Sequence, residues 1–124
     1  MHLEENADTK SQSKKEKENG AFVIVNCHSG TEYSTTPNST QKEFYTKLCN
    51  SGTDIVFGSH PHVLQPVELY NGSLIVWSLG NFIFPGMDLM PNATSTMIIR
   101  TGYLKGKLIY YESSLLSSSA ILAL

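Results

Sequence analysis

Two almost wholly apolar runs, AFVIVNC at 21 to 27 and DIVFG at 54 to 58, constrain this chain more than any other feature. Neither alternates polar with apolar residues. A strand with one wet face alternates, whereas a strand covered on both faces does not. The runs therefore read as two buried strands of an α/β layer structure. Between them, Thr40 and Glu43 have the spacing of a capping box, and Phe44 and Leu48 lie four apart. That spacing predicts a helix over about 40–50, stopped at Asn50-Ser51-Gly52. Strand, helix and strand in this order make a β–α–β unit, with parallel strands and a right-handed crossover.

The pattern then changes. VLQPVELY and SLIVWSLG flank Asn71-Gly72, the strongest two-residue hairpin signal, and STMIIRTGYL and KLIYYES flank Lys105-Gly106. The second half thus reads as mostly antiparallel. Residues 1–19 carry nine of the chain's twenty charged residues and almost no large apolar side chains. Such a segment reads either as a charged tail or as a solvated helix over 9 to 18. Residues 113–124 are Ser-rich and mildly apolar, and read as a tail or an edge strand.

A length of 124 residues suits one modest domain. The formal net charge of −2 gives no footing for a nucleic-acid partner. Cys27 and Cys49 sit inside apolar runs and read as free buried thiols rather than a disulfide framework. No apolar run approaches the roughly 20 residues that span a bilayer, so no membrane span is expected.

Ligands of open α/β sheets gather beyond the carboxyl ends of the parallel strands. The first strand delivers His28 there, and the second delivers His60 and His62 around Pro61. Pro61 favours an extended Ser-His-Pro-His, and alternate residues of an extended segment share a face. A lone histidine is more often a satisfied polar residue than a ligand. Three at converging strand ends favour a metal site, because imidazole suits zinc, iron and similar ions. Glu32 follows His28 by four and suits an orienting role behind an imidazole. Asn81, in SLGNF, reaches the site if its loop returns to the histidines. Asp54 reads as a solvated strand start at the opposite edge, and Asp88 as a loop residue without a partner. The chain is short of acidic ligands for a two-metal hydrolytic site. Cys27 and His28 resemble a nucleophile and its base, but neighbours on a strand face opposite ways.

VNCHSGTEY followed by DIVFGSHPHVLQPVELYNGSLIVWSLGNFIF closely resembles the C-terminal half of the CapA-like proteins. These are bacterial poly-γ-glutamate capsule-synthesis proteins related to the calcineurin-like metallophosphoesterases. The combination of H-x-G-x-E-Y, G-x-H-P-H and S-L-G-N-F at this spacing is highly specific. The resemblance covers about 20 to 84, and more weakly to about 112. It implies residues 20–112 as the C-terminal part of a four-layer α/β/β/α sandwich with a divalent-metal site (manganese, iron or zinc) between its sheets. His28, His60 and His62 match its metal-ligand positions, and Glu32 and Asn81 match further family positions, which makes His28, Glu32 and Asn81 the catalytic candidates. Ser59 stands where members often have another histidine. The aspartate blocks and the Asn-His block of the family's N-terminal half have no match in residues 1–19. The resemblance therefore implies a C-terminal piece of a longer protein, or a degenerate product, associated with the bacterial cell envelope.

Two functions follow as expectations. One is part of a metal-dependent hydrolase or phosphoesterase-like protein of capsule-polymer synthesis, inactive on its own. The other is a non-catalytic module that binds an anionic capsule polymer or an assembly partner. Against polymer binding, Arg100, Lys105 and Lys107 are the sole positive charges after residue 47. Self-association, or cover by the N-terminal half, is expected for a sheet left open at its face and edges.

Overall fold

A computed structural model of the chain describes residues 3–117, with side chains from Asp8 onward. His2 and the last seven residues of the Ser-rich segment lie outside the described residues. The β–α–β unit is present. Strand β1 (Ile24–His28) pairs in parallel with β2 (Ile55–Ser59), from Ile24 opposite Ile55 to His28 opposite Ser59. The connecting helix α2 spans Ser39–Asn50. Its cap differs from the Thr40–Glu43 box. Asn38 Oδ1 accepts from the Gln41 amide at 2.8 Å, and Gln41 Oε1 accepts from the Asn38 amide at 3.0 Å. A capping box tolerates glutamine as well as glutamate, and asparagine caps as well as threonine.

Both turns expected from the sequence close hairpins. Strands β3 (Val67–Tyr70) and β4 (Ser73–Val76) pair antiparallel across Asn71-Gly72. Strands β5 (Ser95–Leu104) and β6 (Lys107–Ser117) pair antiparallel across Lys105-Gly106. All four turn residues have positive φ, the geometry whose twist matches a two-residue hairpin. The second half is not purely antiparallel, however. Strand β4 also pairs in parallel with β2, so the first sheet has the order β1-β2-β4-β3. The result is a mixed α/β fold with two sheets.

Each sheet face has its own core. Cys27, Val56, Ile75 and Trp77 pack beneath Tyr45, Leu48 and Cys49 of α2. Ile55, Leu74 and Val76 point the other way, against Met97, Ile99 and Leu108 of the β5–β6 hairpin. Alternation along β2 and β4 assigns successive residues to opposite cores, so both strands are buried on both faces. Full burial of Leu48 alone contributes roughly 2 kcal/mol. Strand β1 differs from the expectation of a strand covered twice. It is an edge strand, with Ile24 50% exposed.

Gly58 lets the layers close. A Cβ built on it would lie 2.0 Å from the Trp77 carbonyl oxygen. Trp77 in turn stacks on Tyr45, with ring centroids 5.2 Å apart.

The charged N-terminal segment is helix α1, Leu3–Glu18. Gly20 ends it with positive φ. Its amide donates to Lys17 O and that of Ala21 to Glu16 O, which satisfies the last carbonyls. The helix is docked as well as solvated. Lys17 Nζ meets Asp54 Oδ1 at 2.6 Å, and Asp54 Oδ2 accepts from the Val23 amide at 2.7 Å. Asp54 is therefore a partnered anchor and not a solvated strand start. No helix among the described residues is long and apolar enough to cross a membrane.

Cys27 and Cys49 are free buried thiols. Burial pushes Cys27 up to about 12 from 9.0, helped by Cys49, and pushes Cys49 up to about 11. The folded state therefore holds these protons at a pH where the unfolded chain loses them. Their contribution to stability is intact below pH 9 and falls as pH rises above it. The loss is at most about 1.4 kcal/mol per thiol per pH unit. Urea unfolding at pH 8 and pH 10 should show this decline, and the Cys27→Ala, Cys49→Ala double variant should flatten it. A second expectation concerns Gly58. Gly58→Ala should lower stability by about 3 kcal/mol in urea. A loss below about 1 kcal/mol would mean that β2 and β4 do not approach this closely.

Candidate functional site

Strands β1, β2 and β4 run parallel, and their carboxyl ends share one edge of the sheet. Three segments leave that edge: 29–38 after β1, 60–66 after β2 and 77–81 after β4. His28 ends β1 on the face opposite buried Cys27, which removes the Cys-His dyad. The segments are tied together by backbone bonds. Ser29 N donates to Ser59 O at 3.0 Å, Tyr33 N to Pro61 O at 2.8 Å, and Leu79 N to Gly58 O at 3.2 Å.

A buried glutamine pair completes the tie. Gln41 Nε2 donates to Gln65 Oε1 at 3.1 Å. Gln65 Nε2 then donates to the Ser34 and Thr36 carbonyls at 2.9 and 3.1 Å. The loop carrying Glu32 is thus fastened to the segment carrying His60 and His62.

The histidines converge, but not through an extended Ser-His-Pro-His. Strand β2 stops at Ser59, and His60 and His62 have φ of 101° and 63°. Tyr33, on the facing loop, has φ of 60°. Non-glycine residues rarely adopt positive φ, and such strain gathers at functional sites. The bends bring Glu32, His60 and His62 together, with one ligand atom of each within 4.8 Å of the others. Two donors about 2.1 Å from a common ion lie up to roughly 4.2 Å apart, so small side-chain adjustments would satisfy one ion. Two imidazoles and a carboxylate suit zinc, iron or manganese by donor chemistry. Glu32 stands among the donors rather than behind them. His28 lies next to His60, ring centroids 5.0 Å apart, but outside this group of three.

A hydrogen bond selects the His62 tautomer. Asn81 Nδ2 donates to Ala93 O at 3.1 Å, which turns Oδ1 toward His62 Nδ1 at 2.8 Å. An amide oxygen only accepts, so Nδ1 carries the proton and Nε2 keeps its lone pair. Ser59 Oγ lies within hydrogen-bond reach of both the Cys27 carbonyl, at 3.2 Å, and His28 Nδ1, at 3.1 Å. Asn81 is buried, and its contact with the corner is the bond to His62.

Three residues of the corner do not stand out as site residues in the sequence. Ser59 orients His28. Tyr33 stacks on His62 at 5.9 Å, and Phe84 meets its ring edge-on at 5.2 Å. Their signals were indirect: Tyr33 closes the H-x-G-x-E-Y motif, Ser59 precedes His60, and Phe84 follows Asn81 by three. Asp54 and Asp88 play no part here. Asp54 is at the opposite edge with Lys17, and Asp88 is exposed.

With this geometry in place, the relatives become informative. Residues 3–86 match the family described as bacterial capsule synthesis protein PGA_cap. The PGA biosynthesis protein CapA of Bacillus subtilis is 46% identical over 68 residues, which are 55% of this chain and 18% of that protein. The capsule biosynthesis protein CapA of Bacillus anthracis is 43% identical over 68 residues, 55% of this chain and 16% of the relative. A probable polyglutamine synthesis accessory protein of Mycobacterium tuberculosis is 31% identical over 78 residues, 61% of this chain and 20% of the relative. The matched stretch thus spans a fifth or less of each of these relatives. By the match over residues 3–86, this chain belongs to the bacterial capsule synthesis protein PGA_cap family.

Proposed function

We propose that this chain carries part of the metal centre of a metallophosphoesterase-type hydrolase that serves capsule-polymer synthesis. The observation that carries the reading is the convergence of Glu32, His60 and His62 within 4.8 Å at the carboxyl edge of the parallel strands. Glu32, His60 and His62 would hold a divalent manganese, iron or zinc ion. When bound, such an ion supplies Lewis acidity toward a phosphoryl or carbonyl oxygen. The stack of α2, first sheet and β5–β6 hairpin supports reading the fold as three layers of a four-layer α/β/β/α sandwich.

The chain's own residues divide the remaining work. Asn81 holds His62 in the tautomer that leaves Nε2 free, and Ser59 fixes the His28 ring through a hydrogen bond at Nδ1. His28, beside His60 but outside the donor group, is placed to accept or return a proton at Nε2. Tyr33 and Phe84 pack against the His62 ring and hold its orientation. Further carboxylates, from a second copy or another polypeptide segment, would be needed for a second ion.

A second reading is supported by the name of the mycobacterial relative, an accessory protein. Here the histidine corner would be a structural or binding feature without turnover. Metal content separates the two. After incubation with manganese, iron or zinc and then dialysis, the chain should retain close to one ion. Elemental mass spectrometry should find that ion gone from the His60→Ala, His62→Ala variant. No retained metal in the unaltered chain would sink the metal-centre reading for this polypeptide.

Asn81 offers a finer check. Asn81→Leu keeps the volume but removes the acceptor at His62 Nδ1. Metal affinity should fall about 10- to 100-fold, with the fold intact by circular dichroism. Unchanged affinity would mean that Asn81 does not orient His62.

A further inference from the structure

Glu32 is exposed, and among the described residues its carboxylate has no hydrogen bond or ion pair. The loop that carries it, 29–38, is tied down on both sides of it. At its start, Ser29 Oγ lies 3.1 Å from the Tyr45 hydroxyl of α2. Gly30 lies flat on the Gln41 amide, where an added Cβ would come within 2.8 Å. Asn38 Nδ2 donates to Thr31 Oγ1 at 3.1 Å, and Tyr33 N donates to Pro61 O at 2.8 Å. A free carboxylate on so fixed a backbone is held ready for a ligand rather than for a partner in the fold.

Gln65 is the side chain that joins this loop to the histidines. It follows His62 by three residues and is 3% exposed. Its amide has one allowed orientation, set by a chain of bonds that starts and ends on the backbone. The Asn38 amide donates to Gln41 Oε1, so Gln41 must present Nε2 to Gln65 Oε1. Gln65 Nε2 is then left facing the Ser34 and Thr36 carbonyls, and its two hydrogens match two acceptors. Turning the Gln65 amide over would set donor against donor and oxygen against two carbonyls.

We propose that Gln65 is a positioning residue, which places Glu32 against His60 and His62 by holding the Ser34 and Thr36 carbonyls. A loop ordered in advance does not have to be ordered when an ion arrives, and that saving appears as affinity. The purpose of the device rests on the metal-centre reading, whereas its geometry rests on hydrogen bonds alone.

The test has a metal-free arm and a zinc arm, both on the whole chain. In the metal-free chain, nuclear Overhauser cross-peaks should join the Glu32 side chain to ring protons of His60 or His62. Gln65→Met keeps the volume and removes both donors. It should erase those cross-peaks while the ones between the stacked Tyr45 and Trp77 rings persist, which shows the core intact. In the zinc arm, affinity measured by chelator competition should fall about 10- to 100-fold in the same variant. In a Glu32→Gln background, Gln65→Met should change zinc affinity by less than about twofold, because the residue through which it acts is gone. If Gln65→Met does not fold, Gln65→Asn, one methylene too short to reach both carbonyls, is read in the same way. Absence of the Glu32 cross-peaks from the unaltered chain, their survival in the Gln65 variant, or a zinc loss that persists in the Glu32→Gln background would overturn the proposal. Cross-peaks erased by the variant in a chain that holds no zinc would remove the metal-centre reading and leave Gln65 as the residue that positions Glu32.

Discussion

Gly58 has no side chain, and β2 and β4 lie side by side because of it. Any Cβ there would meet the Trp77 carbonyl oxygen at 2.0 Å and the Tyr45 hydroxyl at 3.1 Å. Close approach aligns the carboxyl ends of β1, β2 and β4, and everything chemical in the candidate site leaves from those three ends. It also seats Trp77 on Tyr45, which packs the base of the loops with a stacked aromatic pair.

Strand ends alone would not keep Glu32 beside His60 and His62. Buried polar contacts do that. Gln41 serves the cap of α2 with one amide atom and Gln65 with the other, and Gln65 reaches two carbonyls of the Glu32 loop. Removing either side chain would leave buried donors or acceptors unpaired, which costs about 1–3 kcal/mol for each group stranded. One pair of uncharged side chains therefore joins the helix start, the loop and the histidine segment into a single unit.

Much of this was legible in the residues. Asn71-Gly72 and Lys105-Gly106 marked their hairpins, because so few sequences accept positive φ twice in a row. The two apolar runs located the first parallel pair, and strand-end logic placed His28, His60 and His62 at one edge. Other features depend on contacts distant in sequence. That β4 would continue the parallel pairing of β2 is a tertiary choice with no local signal. The docking of α1 rests on Lys17 and Asp54, 37 positions apart. Local patterning could only describe Asp54 as wet. Asn38 took the cap from Thr40 because Gln41 was free to answer it. Place in the sheet is likewise a tertiary outcome, and β1, at an edge, stays open where its apolar composition suggested double cover.

The positive φ values of Tyr33, His60 and His62 set up a conflict within one corner. Each holds its backbone in a conformation that disfavours a side chain by about 1–3 kcal/mol, and glycine would relieve it. The residues whose chemistry is worth keeping are thus ones the backbone would rather lose. A library of this chain sorted for heat resistance alone would drift toward glycine at 60 and 62. It would return tougher proteins without the two imidazoles that the proposed metal centre needs, so laboratory evolution of this scaffold has to select on metal retention as well as on whether the chain stays folded.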